Sequence, residues 1–355
     1  MRRDAPKTIA VIDLLKDHQG SPMKRPPIFP APQFPPVKLR AFQRMPPAVF
    51  PAIMGLFGLG LALRRGAEAI GYPVAIAEIT LGAVSLLWLF ATLGYGIKLS
   101  QRRGVIMEDL AILPGRAGLA AMSLGMALLA VTLLPYSARA AGVVMFAALA
   151  THLVLAALII LALGRGPAEG RDVTPVWHLS FVGFIIAAVS AAPLGYTGLA
   201  TGILFSTTLI AIGIWAVSLM QLIKRIPPAP LRPLLAIHLS PAALFGTVAL
   251  LLGMPTLAIG FAVFGGLILL AMVVSARWIT GAGFSALWGA FTFPLAAYAS
   301  LLLALGAAAG QSSLWIWAGI VVLTAAIGIV PAIALKVLHA WTKGTLAAKT
   351  NAATA

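Results

Sequence analysis

Apolar residues run along this chain in long blocks, and the polar residues gather in the links between them. A bilayer core takes about 20 mainly apolar residues per helix. That ruler predicts ten segments, at 48–63, 73–97, 114–134, 139–163, 177–195, 198–223, 234–253, 255–276, 286–308 and 313–338. Links such as 195–198 and 253–255 are very short. Short links force antiparallel helical hairpins. The pattern therefore predicts an all-α, polytopic membrane protein with ten transmembrane helices in five hairpins. The helical domain covers 46–340, flanked by a tail at 1–45 and a second at 341–355. Nine prolines between Pro22 and Pro47 give the first tail a disordered or polyproline character.

The odd-numbered segments carry a repeat. The first begins Phe50-Pro51 and continues to Gly55 and Gly58. The third begins Leu113-Pro114 and reaches Gly118. The fifth reads His178-Leu179-Ser180-Phe181 with Gly183, and the seventh His238-Leu239-Ser240-Pro241 with Gly246. The ninth contains Trp288-Gly289-Ala290-Phe291-Thr292-Phe293-Pro294. A proline inside a helix removes a backbone hydrogen bond and kinks the axis. Membrane helices tolerate this where neighbours or a cavity satisfy the freed carbonyl. Pro51, Pro241 and Pro294 are thus expected as kinks of inner helices around a central passage. Gly55, Gly58, Gly118, Gly183 and Gly246 are expected as small residues lining it. The competing reading makes the prolines helix starts. It is favoured at Pro114, and a true kink is favoured at Pro294.

Composition excludes a soluble protein. Apolar residues are 61% of the chain and charged residues 10%, against roughly 45–50% and about 25% in soluble domains. The net charge of +16 does not imply nucleic acid, because the chain lacks the polar surface such a binder needs. It reports topology instead. Twenty-two of the 25 Lys and Arg fall on the side of the N-terminus, and only Arg64, Arg65 and Arg139 on the other. The positive-inside rule then places both termini of a multi-pass membrane protein in the cytoplasm, and the expected setting is the inner (plasma) membrane.

Chemistry is sparse. Without cysteine there are no disulfides, thiolate nucleophiles or Cys-based metal sites. There is no phosphate-binding loop, no H-E-x-x-H and no paired carboxylates in the segments. No enzyme, catalytic residue, metal or cofactor is expected. Glu78 reads as an interfacial or subunit-contact residue before a proton site, and His152 as a packed, hydrogen-bonded one. His178 and His238 either line a cytoplasmic mouth or cap their helices with Ser180 and Ser240. A nearly uncharged passage with basic mouths suits anions. A coupled carrier usually needs acids or broken helices at the midplane. The helices fit that rival and the acids do not. An aromatic ring on an inner helix can close a passage by steric block and dewetting. Phe291 and Phe293 point different ways, so only one of them can do so.

The Phe-Pro-x-x-x-Gly-x-x-Gly start of the first segment and the Trp288–Pro294 stretch resemble the tellurite-resistance/dicarboxylate transporter family. That family includes bacterial tellurite-resistance protein A, the slow-type anion channels of plant guard cells, and fungal malate and sulfite transporters. The resemblance spans about 45–340. It implies a quasi-five-fold ring of odd helices around a pore, and a homotrimer with one pore per subunit. It implies an anion channel or uniporter occluded by a phenylalanine of the ninth helix. By motif that is Phe293, with Phe291 as the fallback. The implied partners are the lipid bilayer and small anions: chloride, nitrate, sulfite, malate or tellurite. A proton-coupled dicarboxylate or sulfite carrier is the alternative. Phe181 stands where the repeat would put a proline, which places an aromatic ring where the passage would narrow.

Overall fold

The computed structural model describes residues 40–309 and 314–355. Residues 1–39 of the expected proline-rich tail, and 310–313, the link to the last predicted segment and its first residue, lie outside the described residues.

A 3-10 turn, Pro47–Val49, leads into α1 (Phe50–Ile70). Gly71, in the left-handed region at φ 86°, ends α1 and lets the chain reverse into α2 (Ala75–Gln101). A short helix, α3 (Val105–Ala111), precedes α4 (Leu113–Leu133). The Ser137 hydroxyl accepts from the Ala140 N–H at 3.2 Å and caps α5 (Ala138–Arg165). A π-helix, His178–Val182, is followed by α6 (Ile185–Ala191) and α7 (Thr197–Lys224). A 3-10 stretch, Ala229–His238, runs into α8 (Leu239–Leu251), then α9 (Pro255–Val274) and the single turn α10 (Ala276–Ile279). The last hairpin is a 3-10 stretch, Ala286–Phe291, then α11 (Thr292–Ala309) and α12 (Leu314–Thr342), with α13 (Thr345–Lys349) at the end.

No strand occurs among the described residues. The protein is an all-α, polytopic membrane protein. Nine helices among the described residues are long and apolar enough to cross a bilayer. The fifth predicted segment differs from the expectation. Its helical part, His178–Ala191, is shorter than the others, and it breaks at Gly183–Phe184 between the π turn and α6. Fourteen residues rise about 21 Å at 1.5 Å each, less than the ~30 Å apolar core. The first helix is longer than predicted. It continues past Arg64 and Arg65 to Ile70, because Arg64 finds a partner in the next helix.

Burial sorts the helices into two sets. Between 67% and 83% of the apolar stretch is buried in the helices containing α1, α4, α8 and α11. Only 17–39% is buried in α2, α5, α7, α9 and α12. Most of α6 is buried as well. The odd segments therefore form the inner set. The even ones expose Ile79, Leu86, Leu209 and Val274 on their outer faces, as lipid-facing helices do.

The inner helices meet through residues with little or no side chain. A Cβ on Gly55 would lie 2.0 Å from Thr292 Oγ1, and one on Gly118 would lie 2.1 Å from the Pro47 carbonyl oxygen. The Thr292 hydroxyl donates to the Gly289 carbonyl at 2.7 Å and also lies 3.3 Å from the Pro51 carbonyl. Without water to drive helices together, such close approach is what packs membrane helices.

Both ends of the described chain sit at one end of the bundle. The Ala355 N–H donates to the Gln43 carbonyl at 3.0 Å. Lys98 Nζ donates to Asp109 Oδ2 at 2.7 Å and to the Met45 carbonyl at 2.9 Å. The Ala353 N–H donates to Asp109 Oδ1 at 2.8 Å. The Lys98 and Asp109 side chains are wholly buried, with Lys98 in the last turn of α2. Asp109 and the Met45 carbonyl compensate the buried ammonium. Nearby, the Arg102 guanidinium pairs with Glu108 through both carboxylate oxygens and holds that carboxyl below its usual range.

Gly55→Ala should force α1 away from α11, since the added methyl has only Thr292 and the α11 backbone to meet. Overpacking of this kind costs about 1–3 kcal/mol. The variant should melt below wild type in detergent. Gly82→Ala in α2, where an added Cβ meets nothing within 4 Å, should not. Equal melting temperatures for the two variants would refute the contact.

Candidate functional site

The inner helices all begin at the end that carries the chain termini, and each turns one face toward a common axis. On α1 this face carries Pro51, Met54, Gly58, Leu61, Arg65 and Glu68. The spacing of three and four residues is that of one helical face. On α8 the same face carries Pro241, Leu244, Thr247 and Leu251, and on α11 Phe293, Ala297 and Ala304.

Three cavities line up along the axis. The near cavity, at the terminal end, is bounded by Pro51, Pro114, His178, Ser240, Gly289 and Phe293. The middle cavity is bounded by Gly58, Leu128, Val189, Thr247, Phe293 and Ser300. The far cavity is bounded by Arg65, Glu68, Thr247, Leu250, Leu303 and Ala307. The near and middle cavities share Ile186, Leu244 and Phe293. The middle and far cavities share Thr247. The near lining is almost entirely apolar, and no Lys, Arg, Asp or Glu belongs to it.

Phe293 sits in the first turn of α11 and is 5% exposed. Its ring lies against Gly58, where a Cβ would come within 2.9 Å of Phe293 Cδ2. Phe291, two residues earlier, lines neither of the cavities that Phe293 divides. It is half-buried and packs edge-to-face on Trp288, ring centroids 5.7 Å apart. Phe181 also turns away from the axis. It packs on Trp177 at 5.3 Å and lines an outer groove with Ile210 and Val217.

The five glycines divide. Gly58 lines the middle cavity and Gly183 the near one. Gly55, Gly118 and Gly246 are helix contacts, and a Cβ on Gly246 would lie 2.6 Å from Leu301 Cδ2. The prolines Pro51, Pro241 and Pro294 each occupy the first turn of an α segment that follows a 3-10 stretch. The helix runs on from the 3-10 stretch into the α segment at each of them, so the missing N–H leaves a carbonyl of the preceding turn without its helical donor. The change in helix type coincides with these positions.

His178 and His238 come together. His178 Nε2 and His238 Nδ1 are 2.9 Å apart with the rings nearly perpendicular. One nitrogen donates and the other accepts, so a single proton lies between them. Trp215 flanks the pair, and its indole N–H donates to the His238 carbonyl at 3.3 Å. Only His178 touches the near cavity, and its Nδ1 is buried without a hydrogen-bond partner. Ser180 makes a long bond, 3.4 Å, to the Val176 carbonyl. Ser240 faces the near cavity. Among the described residues no three His, Asp or Glu side chains converge to hold a metal.

Two further polar clusters join neighbouring helices, and the one around His152 is as expected. Arg64 donates to both Glu78 oxygens, at 2.7 and 2.8 Å, and to the Thr132 carbonyl. Tyr136 donates to Glu78 at 2.5 Å. Glu78, read as an interfacial or subunit-contact residue, is neutralised within the chain by α1. The signal was a lone acid just past the turn that follows an arginine pair. His152 meets Ser123 Oγ at 2.7 Å through Nδ1 and the edge of Phe184 at 4.5 Å. It is a packed residue between α4 and α5.

Residues 44–338 match the family model of the voltage-dependent anion channel, SLAC1. No curated protein matches the chain.

Because the chain lacks cysteine, single replacements report access cleanly. In vesicles, Ser240→Cys should react with a small charged thiol reagent only from the terminal side. Thr247→Cys should react only from the opposite side. Reaction of both from one side would show that Phe293 does not divide the path.

Proposed function

The chain belongs to the voltage-dependent anion channel family, and from that premise we propose that it conducts small anions passively through the inner helices, closed at Phe293. The membrane anion channel or transporter class follows from the family. The gate rests on one observation, that Phe293 lies on the wall common to the near and middle cavities. An anion crossing there must shed water against phenyl, Ile186 and Leu244 carbon, and such a constriction shuts by dewetting. Phe291, held on Trp288, has no such position.

Chloride, nitrate, sulfite, malate and tellurite are the proposed permeant candidates, and tellurite resistance would be one consequence of oxyanion export. The proposed setting is the inner membrane with both termini cytoplasmic, on the strength of the 22-to-3 division of Lys and Arg. The proposed assembly is a homotrimer, using part of the apolar outer face of the even helices. The match to a family of anion channels supports transport rather than catalysis. A second reading, a proton-coupled dicarboxylate or sulfite carrier, draws on the His178–His238 pair beside the near cavity.

Phe293→Ala should raise anion current in planar bilayers. Removing each 1.4 kcal/mol of barrier gives about tenfold. An unchanged current, with Phe291→Ala raising it, would move the gate. Flux in proteoliposomes should follow the anion gradient without a pH gradient, and a strict proton requirement would favour the carrier.

A further inference from the structure

The far cavity is the opposite mouth of the same path, since it shares Thr247 with the middle cavity. Among the residues lining the three cavities of the axis, its Arg65 is the single Lys or Arg. Arg65 lies on the stripe of α1 that also carries Met54, Gly58 and Leu61. Its neighbour Arg64 is turned about 100° away around the helix. The two arginines have different fates. Arg64 is buried and held by both oxygens of Glu78 and by the Thr132 carbonyl. Arg65 is 39% exposed, and its ion pair is with Glu68, one turn along, itself 53% exposed and 2.8 Å away. That carboxylate lines the same cavity. An exposed pair of this kind contributes little, because water and salt compete for both partners. An incoming anion can replace Glu68 on the guanidinium at small cost.

We propose that Arg65 is an anion-recruitment site at the mouth opposite the chain termini, with Glu68 as a displaceable counter-ion, and that it selects oxyanions over halides. The selectivity follows from shape. A planar guanidinium offers two parallel N–H donors, which match two oxygens of nitrate or sulfite and not a spherical halide. Glu68 holds one arm of the fork, Nη1, when no anion is present. It lowers the local positive potential and so sets how strongly the mouth gathers anions.

This rests on the conducting path proposed above, so the test has two arms. In the first, currents are read in a Phe293→Ala background with chloride or nitrate supplied at low ionic strength from the far side. Glu68→Gln should raise conductance and Arg65→Gln should lower it, each several-fold, with both effects fading in high salt. Arg65→Lys should keep the chloride current and lose the preference for nitrate. Unchanged conductance in Arg65→Gln and Glu68→Gln, in a background that still conducts, would overturn the recruitment site and leave the gate standing. The second arm needs no current. Ala307→Cys lines the same cavity. Its labelling by a sulfonate-bearing reagent, relative to an ammonium-bearing one, should fall several-fold with Arg65→Gln and rise with Glu68→Gln. If this ratio shifts while Phe293→Ala fails to conduct, the site survives and the channel reading fails. If the ratio does not move, the site is refuted.

Discussion

The approach of α1 to α11 sets the geometry of everything on the axis. Gly55 lets the Thr292 side chain sit where a Cβ would be, and Gly58 does the same for one edge of the Phe293 ring. One turn of α1 thus fixes both the distance between the helices and the side on which Phe293 stands. Thr292 secures the contact through the Gly289 and Pro51 carbonyls. A larger residue at either glycine would push the ring or the helix, and the partition between two cavities would shift with it.

In lipid there is no gain from hiding apolar surface between helices, so proximity must come from shape and from polar groups. The inner helices use shape. The first hairpin adds polar groups at both of its ends. At the terminal end Lys98 and Asp109 bind each other, the start of α1 and the last residues of the chain. At the other end Arg64, Glu78 and Tyr136 join α1, α2 and the turn after α4. Each cluster is satisfied internally, which is the condition under which buried charge is tolerated. Between them the axis carries apolar walls. Arg65, next to Arg64 but outside these clusters, lines the far cavity.

A wall of carbon with charge only at its far end suits a group that moves through rather than one that stays. No lining side chain of the near or middle cavity would hold an anion as an ion pair. Phe293 lines both of these cavities, and on the proposed reading its ring and the cost of dehydration set the barrier to passage. The His178–His238 pair is set beside the near cavity, where a proton can be held without a full charge on the axis.

The amino-acid sequence by itself determined the class. Runs of apolar residues of bilayer length, a 22-to-3 division of cations and a repeat of Pro and Gly in alternate segments are local or compositional, so they are readable without coordinates. They led to a helical membrane protein with inner and outer helices, and the Trp288–Pro294 stretch singled out two aromatics of which one could face a passage. Side-chain direction was not readable. Phe291 and Phe293, or Gly55 and Gly58, differ by a fraction of a helical turn, and only the packing of α1 on α11 decides which faces the axis. The same holds for the arginine pair, where one residue of rotation separates a buried strut from a charge at the mouth. The interruption of the fifth segment and the Lys98–Asp109 pair were equally hidden. Both arise from contacts between segments, and such contacts exist only once the chain has folded.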